Sequence, residues 1–231
     1  MLGLILAAVA LIILLIALSI YRKTKVKKNG ILLLGLCDSG KTLIFSRLLF
    51  KKFVQTHTSI KENVNEYVVG NASYKIIDIP GHERLRGRYF DQFKSLAKGL
   101  VYVVDSVTIQ KDIKDVAEFL YSCLIDSSVT SSLPPLLILC NKQSDVTAKG
   151  STVIKMMLEK EMNILRMTQT NQLQSIGKSG GNAFLGKEGR DFEFSHLHPM
   201  KVDFAECSAL TNDNEKECNI EELEAWIERL I

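Results

Sequence analysis

The sequence predicts an α/β protein: a three-layer α/β/α domain with a mostly parallel sheet, preceded by one transmembrane helix. Three observations predict it. Short apolar runs alternate with helical patterns from residue 31 onward, as in βαβ units. A phosphate-loop pattern, G-x-x-x-x-G-K-[ST], directly follows the first of these runs. The 231 residues, 46% of them apolar, suffice for one packed domain and an appendage but not for two globular domains.

The first predicted element is the uncharged apolar run Leu2–Ile20. As a helix this run would be roughly 28 Å long, close to the hydrocarbon thickness of a bilayer. Basic residues follow it at once and, by the positive-inside rule, place the rest of the chain in the cytosol. We predict a transmembrane signal anchor at 1–21, a basic tether at 22–30 and the globular domain at 31–231. A cleaved signal peptide is the alternative, disfavoured because no basic residue precedes the apolar run.

Charge and cysteine usage exclude some classes of protein. Much of the net charge of +3 comes from one cluster, which consists of Arg22, Lys23, Lys25, Lys27 and Lys28. The rest of the chain is close to neutral, so we expect no sequence-specific nucleic-acid partner. The five cysteines include no C-x-x-C pair, which argues against a disulfide framework or a zinc cluster and favours a reducing compartment.

Apolar runs predict the strands of the sheet, and helical stripes predict the layers that cover it. The predicted strands are Ile31–Leu34, an edge strand near Glu66–Val69, Tyr74–Asp78, Leu100–Asp105, Leu136–Cys140 and Val202–Glu206. The predicted helices are Leu43–Phe50, Asp112–Leu124 and Ile220–Leu230, the last with Trp226 in the core. Residues 168–198 are rich in Gln, Gly, Ser and Asn and predict a flexible insert. Its histidines, His196 and His198, are expected to be solvated rather than to bind metal.

The run from Gly35 to Thr42 fits the phosphate-loop pattern at every fixed position. Such a turn points backbone N–H groups inward, and the start of the next helix adds unpaired N–H groups and a positive dipole end, so phosphate binds there. Lys41 is expected to reach the β- and γ-phosphates and Thr42 to ligate Mg²⁺. The predicted phosphate-binding residues are Gly35, Leu36, Cys37, Asp38, Ser39, Gly40, Lys41, Thr42 and Leu43.

Asp78 and Gly81 form a D-x-x-G arrangement at the end of a predicted strand. The acidic residue can hold Mg²⁺ through water, and the glycine lets its backbone N–H approach the γ-phosphate. The segment that follows would be ordered by a triphosphate and released by a diphosphate. His82 is the candidate to orient water for a slow or partner-dependent hydrolysis. A polar run at Thr56, His57, Thr58 and Ser59 is expected near the γ-phosphate, and either Thr58 or Ser59 would ligate Mg²⁺.

Two loops at the carboxyl ends of later strands complete the predicted site. Asn141-Lys142-Gln143-Ser144-Asp145 and Ser208-Ala209 resemble the guanine-reading N-K-x-D and S-A-x loops of small GTPases. The expected base contacts are Asn141, Lys142, Asp145, Ser208 and Ala209. A carboxylate that accepts bonds from the guanine N1–H and N2–H₂ edge is expected at position 144, where this chain has Ser144. We hypothesise that Asp145 substitutes for it through a local shift of the loop.

These motifs, in this order, resemble the Ras superfamily, and His82 in place of a glutamine is similar to its Arf and Sar branch. The anchor and the segments G-L-C-D-S-G-K-T, T-x-T-S-I, D-x-P-G-H-E, V-V-D-S, D-V-A-E-F-L-Y and C-N-K-Q make the chain similar to the β subunits of the signal recognition particle receptor. The resemblance runs from Gly30 to Ile231. It implies the P-loop NTPase fold of the small GTPases, with GTP and Mg²⁺ as cofactors.

The resemblance also implies a place and partners. It implies a single-pass protein of the endoplasmic reticulum membrane whose GTPase domain faces the cytosol. In its GTP-bound form it would anchor the receptor's α subunit as a heterodimer for co-translational targeting, with the ribosome or translocon as further candidate partners. The alternative is a membrane-anchored Arf- or Sar-like GTPase of vesicle traffic. A P-loop kinase is disfavoured, because no acceptor-substrate lid is evident and the D-x-x-G segment argues against it.

Overall fold

The computed structural model describes residues 28–70, 72–175, 185–210 and 218–230. Strands and helices alternate along them as the sequence predicts. In chain order they are β1 (Gly30–Leu34), α1 (Lys41–Phe50), β2 (Asn63–Val69), β3 (Ala72–Asp78), α2 (Glu83–Phe93), β4 (Ala97–Asp105), α3 (Ile109–Leu124), α4 (Ser127–Ser132), β5 (Leu136–Asn141), α5 (Ser151–Ser175), β6 (Val202–Glu206) and α6 (Glu221–Glu228).

The six strands form one sheet in the order β2-β3-β1-β4-β5-β6. Only the edge strand β2 is antiparallel to its neighbour; the remaining pairs are parallel. Consecutive side chains of β1 enter opposite cores, because side chains of a strand alternate between faces. Leu32 and Leu34 pack with helices α2 to α5. Ile31 and Leu33 pack with α1 and α6, where Trp226 is buried. The predicted three-layer α/β/α architecture is confirmed.

This topology brings the ends of several strands together. The carboxyl ends of β1, β3, β4, β5 and β6 lie along one edge of the sheet, since all five strands are parallel. Loops that follow these ends carry the predicted motifs. Ligands of open α/β sheets bind at this edge.

The predicted membrane anchor at 1–21 lies outside the described residues, as does most of the basic tether at 22–30. Among the helices that the structure describes, none combines the length and apolar character needed to cross a bilayer.

A flexible insert is predicted at 168–198, and its middle, residues 176–184, lies outside the described residues; the two flanks differ from that prediction. Helix α5 continues to Ser175, because no glycine or proline interrupts the sequence between Gly150 and Gly177. Beyond the undescribed residues 176–184, the chain packs back onto the core through three buried side chains, Leu185, Phe192 and Phe194.

A buried arginine of α5 holds this returning segment. The Arg166 guanidinium donates to the carbonyl oxygens of Leu185 and Lys187, at 3.3 and 3.1 Å. The His196 side chain is only 9% exposed, so the expectation that it is solvated is wrong. His198 is exposed, as expected. Packing partners distant in sequence, which local composition does not reveal, hold residues 185–198 against the core.

Candidate functional site

A cleft of about 600 Å³ lies at the carboxyl edge of the sheet. This volume is within the range of small-molecule sites. Most of the predicted site residues line it: Cys37, Asp38, Gly40, Lys41, Thr42, Leu43, Thr56, His57, Thr58, Ser59, Asp78, Gly81, Asn141, Lys142 and Asp145. Six others lie outside its lining: Gly35, Leu36, Ser39, His82, Ser208 and Ala209. The lining also includes Ile79, Ser144, Val146 and Leu210, which were not predicted as contacts.

The phosphate loop has a backbone that only particular residues permit. Gly35 and Gly40 have φ of +136° and +92°, and a Cβ on either would approach a neighbouring atom to 2.3 Å or less. For Gly40 that atom is the Asn141 Nδ2. Helix α1 begins at the next residue, so its unpaired N–H groups face the cleft. The loop therefore combines a tight turn with a helix N-terminus, the arrangement that binds phosphate.

Lys41 places a cation inside this loop. Its side chain is 6% exposed and its ammonium group donates to the Leu36 carbonyl oxygen at 2.6 Å. Burial lowers the pKa of Lys41, and the Asp78 carboxylate opposes that shift. A buried cation gains most from an anionic ligand, because little water screens the interaction.

Oxygen atoms cluster beside the loop around Asp78. The Thr42 hydroxyl donates to the Asp78 Oδ2 at 2.8 Å and lies 3.1 Å from the Ser59 Oγ. The Asn63 amide donates to the same carboxylate oxygen at 3.0 Å. Asp78 Oδ1 is buried without a hydrogen-bond partner among the described residues. Burial raises the pKa of Asp78, while the bonds from Asn63 and Thr42 oppose the rise.

This cluster answers one question that the sequence left open and adds one residue that the sequence did not indicate. Ser59, not Thr58, forms the hydroxyl contact with Thr42. Asn63 was missed altogether. It reaches Asp78 because it is paired with that residue in the antiparallel register of β2 and β3. That register is set by long-range strand pairing, and no local sequence signal marks Asn63.

Gly81 holds the D-x-x-G segment against the phosphate loop. A Cβ at this position would lie 2.5 Å from the Cys37 backbone nitrogen, so only glycine fits. His82 then caps α2, with its Nδ1 accepting from the Arg84 backbone N–H at 3.3 Å. The His82 side chain is exposed. The structure thus brings Gly81, but not His82, into the cleft.

Asn141 connects the far end of the cleft to the phosphate loop. Its side chain, 2% exposed, donates to the Ser39 carbonyl oxygen at 2.8 Å and accepts from the Ala209 N–H at 3.2 Å. The Lys142 ammonium pairs with Asp105 at 2.6 Å. These three interactions draw loops from different strands together, which gives this end of the cleft its shape.

Two apolar side chains stand at the same end with their surfaces in solvent. Val146 is 101% exposed and Leu210 is 48% exposed, and both line the cleft. Asp145 is also exposed, and its carboxylate accepts from Thr147. We call this region, with Asn141, Lys142, Ser144, Asp145, Val146 and Leu210, the base end of the cleft. The region around the phosphate loop, Asp78 and Gly81 is the phosphate end.

Comparisons with known proteins agree with this geometry. A family model described as the signal recognition particle receptor beta subunit matches residues 26–202. The human signal recognition particle receptor subunit beta is 42% identical over 235 residues, covering 100% of this chain and 86% of that protein. The chain belongs to this family. The resemblance drawn from the motifs is confirmed.

Solved structures of receptor subunits have the same fold as this chain. The structure of the mammalian signal recognition particle receptor superposes with a TM-score of 0.76 and 46% identity, covering 87% of this chain and all of that one. A Chaetomium thermophilum complex of the receptor, SRb-GTP/SRX, has a TM-score of 0.70 at 21% identity, with coverage of 87% and 100%. The family member described here therefore has the small-GTPase fold with a mostly parallel six-stranded sheet.

Proposed function

We propose that this chain is the GTP-binding β subunit of the signal recognition particle receptor, which anchors the α subunit at the endoplasmic reticulum membrane for co-translational targeting. One observation carries the proposal: Gly81 lies directly against the phosphate loop, at the start of the segment leading into α2. A γ-phosphate bound at that loop would contact the Gly81 N–H, whereas a diphosphate would not. The nucleotide state would thereby be transmitted to an exposed segment.

The phosphate end also fits Mg²⁺. The fit rests on Asp78 Oδ1, a buried carboxylate oxygen without a partner in the described residues, beside the Thr42 and Ser59 hydroxyls. Oxygen ligands of this kind suit a hard divalent cation. Thr42 and Ser59 would hold the ion, and Asp78 would hold it directly or through water. When bound, Mg²⁺ neutralises the negative charge of the phosphates.

The surface next to Gly81 supports a protein partner. Ile60, directly after Ser59, is 75% exposed, and Val64, which pairs with Ile77 on β3, is 46% exposed. Arg84 and Arg88 are exposed on α2. Apolar and arginine side chains of this kind are typical of protein–protein interfaces. The Chaetomium relative is described as a GTP complex with SRX.

Membrane anchoring is supported by the sequence alone. Leu2–Ile20 is long enough to span a bilayer and is followed by basic residues. We expect the full chain to stay in the membrane pellet during alkaline carbonate extraction. Release into the supernatant would contradict the anchor.

Capture of the α subunit tests the function. The full chain in detergent is loaded with Mg²⁺ and either GDP or a non-hydrolysable GTP analogue, and bound α subunit is measured. We expect capture with the GTP analogue only. Gly81→Ala should abolish it, since a Cβ there meets the phosphate loop, whereas Gly87→Ala on α2 should not, because a Cβ there has open space. Equal capture in both nucleotide states would contradict the proposal.

The alternative is an Arf-like GTPase of vesicle traffic. It is favoured by 31% identity over 118 residues to human ADP-ribosylation factor-like protein 4C, although that match covers 49% of this chain. Recovery of vesicle coat proteins instead of the α subunit would support this alternative.

A further inference from the structure

The base end offers few free polar groups to a bound purine. The Asn141 amide is bonded to Ser39 and Ala209, and the Lys142 ammonium is paired with Asp105. Ser144 is exposed and lines the cleft, and its hydroxyl bonds none of the described residues. The Ser144 hydroxyl is therefore an uncommitted polar group that can meet the edge of the base.

One oxygen of the Asp145 carboxylate is bonded within its own loop. Its Oδ1 accepts from the Thr147 backbone N–H at 2.8 Å and from the Thr147 hydroxyl at 2.6 Å. These bonds lower the pKa of Asp145, as expected for a carboxylate stabilised in its ionised form.

The backbone of Asp145 is held as well. Its N–H donates to the Lys142 carbonyl and its carbonyl accepts from the Ala148 N–H, each at 3.1 Å. A shift of the loop would break this set of bonds. The substitution of Asp145 for the missing carboxylate, which needs that shift, would therefore cost these bonds.

The chemistry of a hydroxyl differs from that of a carboxylate at this edge. Guanine presents two donors there, N1–H and N2–H₂. A carboxylate accepts from both, with the added strength of an ionised acceptor. A serine hydroxyl can accept from N1–H, and it can equally donate to the 2-oxo group of xanthine or face the bare C2–H of hypoxanthine. It therefore gives little discrimination at position 2 of the purine.

We propose that Ser144 makes this base site insensitive to the 2-amino group, so that the chain binds GTP, ITP and XTP alike rather than GTP alone. The proposal rests on the nucleotide-binding function proposed above and concerns its specificity. It predicts that GTP, ITP and XTP bind with affinities within about threefold of one another, since no charged hydrogen-bond pair separates them.

Titration of the full chain in detergent with the Mg²⁺ complexes of GTP, ITP, XTP and ATP tests this. We expect Ser144→Asp to tighten GTP by roughly tenfold or more relative to ITP and XTP, because it adds charge-assisted bonds to the 2-amino edge. Ser131→Asp, the same change at an exposed serine on α4, is the matched control and should leave the ratios unchanged.

Four other results would each contradict either the inference about Ser144 or the proposed function. A wild-type preference for GTP over ITP of tenfold or more would overturn the inference and leave the proposed function standing. ATP binding as tight as GTP binding would overturn the GTP-binding function proposed above, and the inference with it. If Ser144→Asp leaves the ratios of GTP, ITP and XTP affinity unchanged, residue 144 does not determine base specificity and the inference is wrong. Failure to bind any of the four triphosphates would overturn the proposed function itself, and the inference with it.

Discussion

The two ends of the cleft are built differently. At the phosphate end the groups are buried backbone turns, a buried lysine and a buried carboxylate, and added atoms at Gly35, Gly40 or Gly81 would collide with backbone or side chain. At the base end Ser144, Asp145 and Val146 are exposed side chains on a loop. A site made of packed backbone tolerates few sequences, whereas a site made of exposed side chains can change one contact without disturbing the fold. Phosphate binding is therefore the strict part of this site and base selection the variable part.

Removing the charge at the phosphate end should have the largest effect. Lys41→Ala should weaken Mg²⁺–GTP binding roughly 100-fold or more, because charge-assisted bonds contribute about 1.5–3 kcal/mol each. Titration calorimetry measures this. The control is Lys51→Ala. Lys51 is exposed, follows the last residue of α1 and pairs with Glu224. Comparable losses in both variants would mean that Lys41 has no special role.

Removing the Asn141 side chain, which connects the two ends of the cleft, should have the second-largest effect. Asn141→Ala leaves the Ser39 carbonyl and Ala209 N–H without this partner and should cost about 1–3 kcal/mol of unfolding free energy. Nucleotide affinity should fall by roughly tenfold as the ends separate. Urea unfolding and nucleotide titration measure the two effects. Stability equal to wild type would show that the ends are held together by other contacts.

A smaller effect is expected from the Ser59 hydroxyl, which contacts the Thr42 hydroxyl at the phosphate end. Ser59→Ala should raise the Mg²⁺ concentration needed for half-maximal GTP binding by about three- to tenfold, as expected for one lost oxygen contact. Thr58→Ala should leave it near wild type, because Ser59 and not Thr58 contacts Thr42. Magnesium titrations of both variants compare them directly. The assignment fails if Thr58→Ala has the larger effect.

The smallest effect is expected from the apolar surface of the base end. Leu210→Ser should weaken binding of every purine triphosphate about fivefold, since a half-exposed leucine loses about 1 kcal/mol of apolar burial. Ile164→Ser, at a residue of similar exposure on α5, should have no effect on nucleotide affinity. Unchanged affinity in Leu210→Ser would show that the bound purine does not contact Leu210.

Local sequence signals predicted the parts of the molecule that local chemistry decides. The phosphate loop, the D-x-x-G segment and all six strands follow from short motifs and apolar runs, and they agree with the structure. The pairing of Asn63 with Asp78 depends on strand register. The burial of His196 depends on a segment returning to the core. Both arise from contacts between residues far apart in sequence, which periodicity and motif spacing do not encode.

Hydrogen exchange across residues 79–93 tests the central claim, that the γ-phosphate is sensed at Gly81 and transmitted to α2. The full chain is compared in its Mg²⁺–GTP-analogue and Mg²⁺–GDP states by mass spectrometry. The account predicts exchange several-fold slower in the triphosphate state at Gly81 and the first turn of α2, with no change in α5. Identical exchange of residues 79–93 in the two states would contradict it.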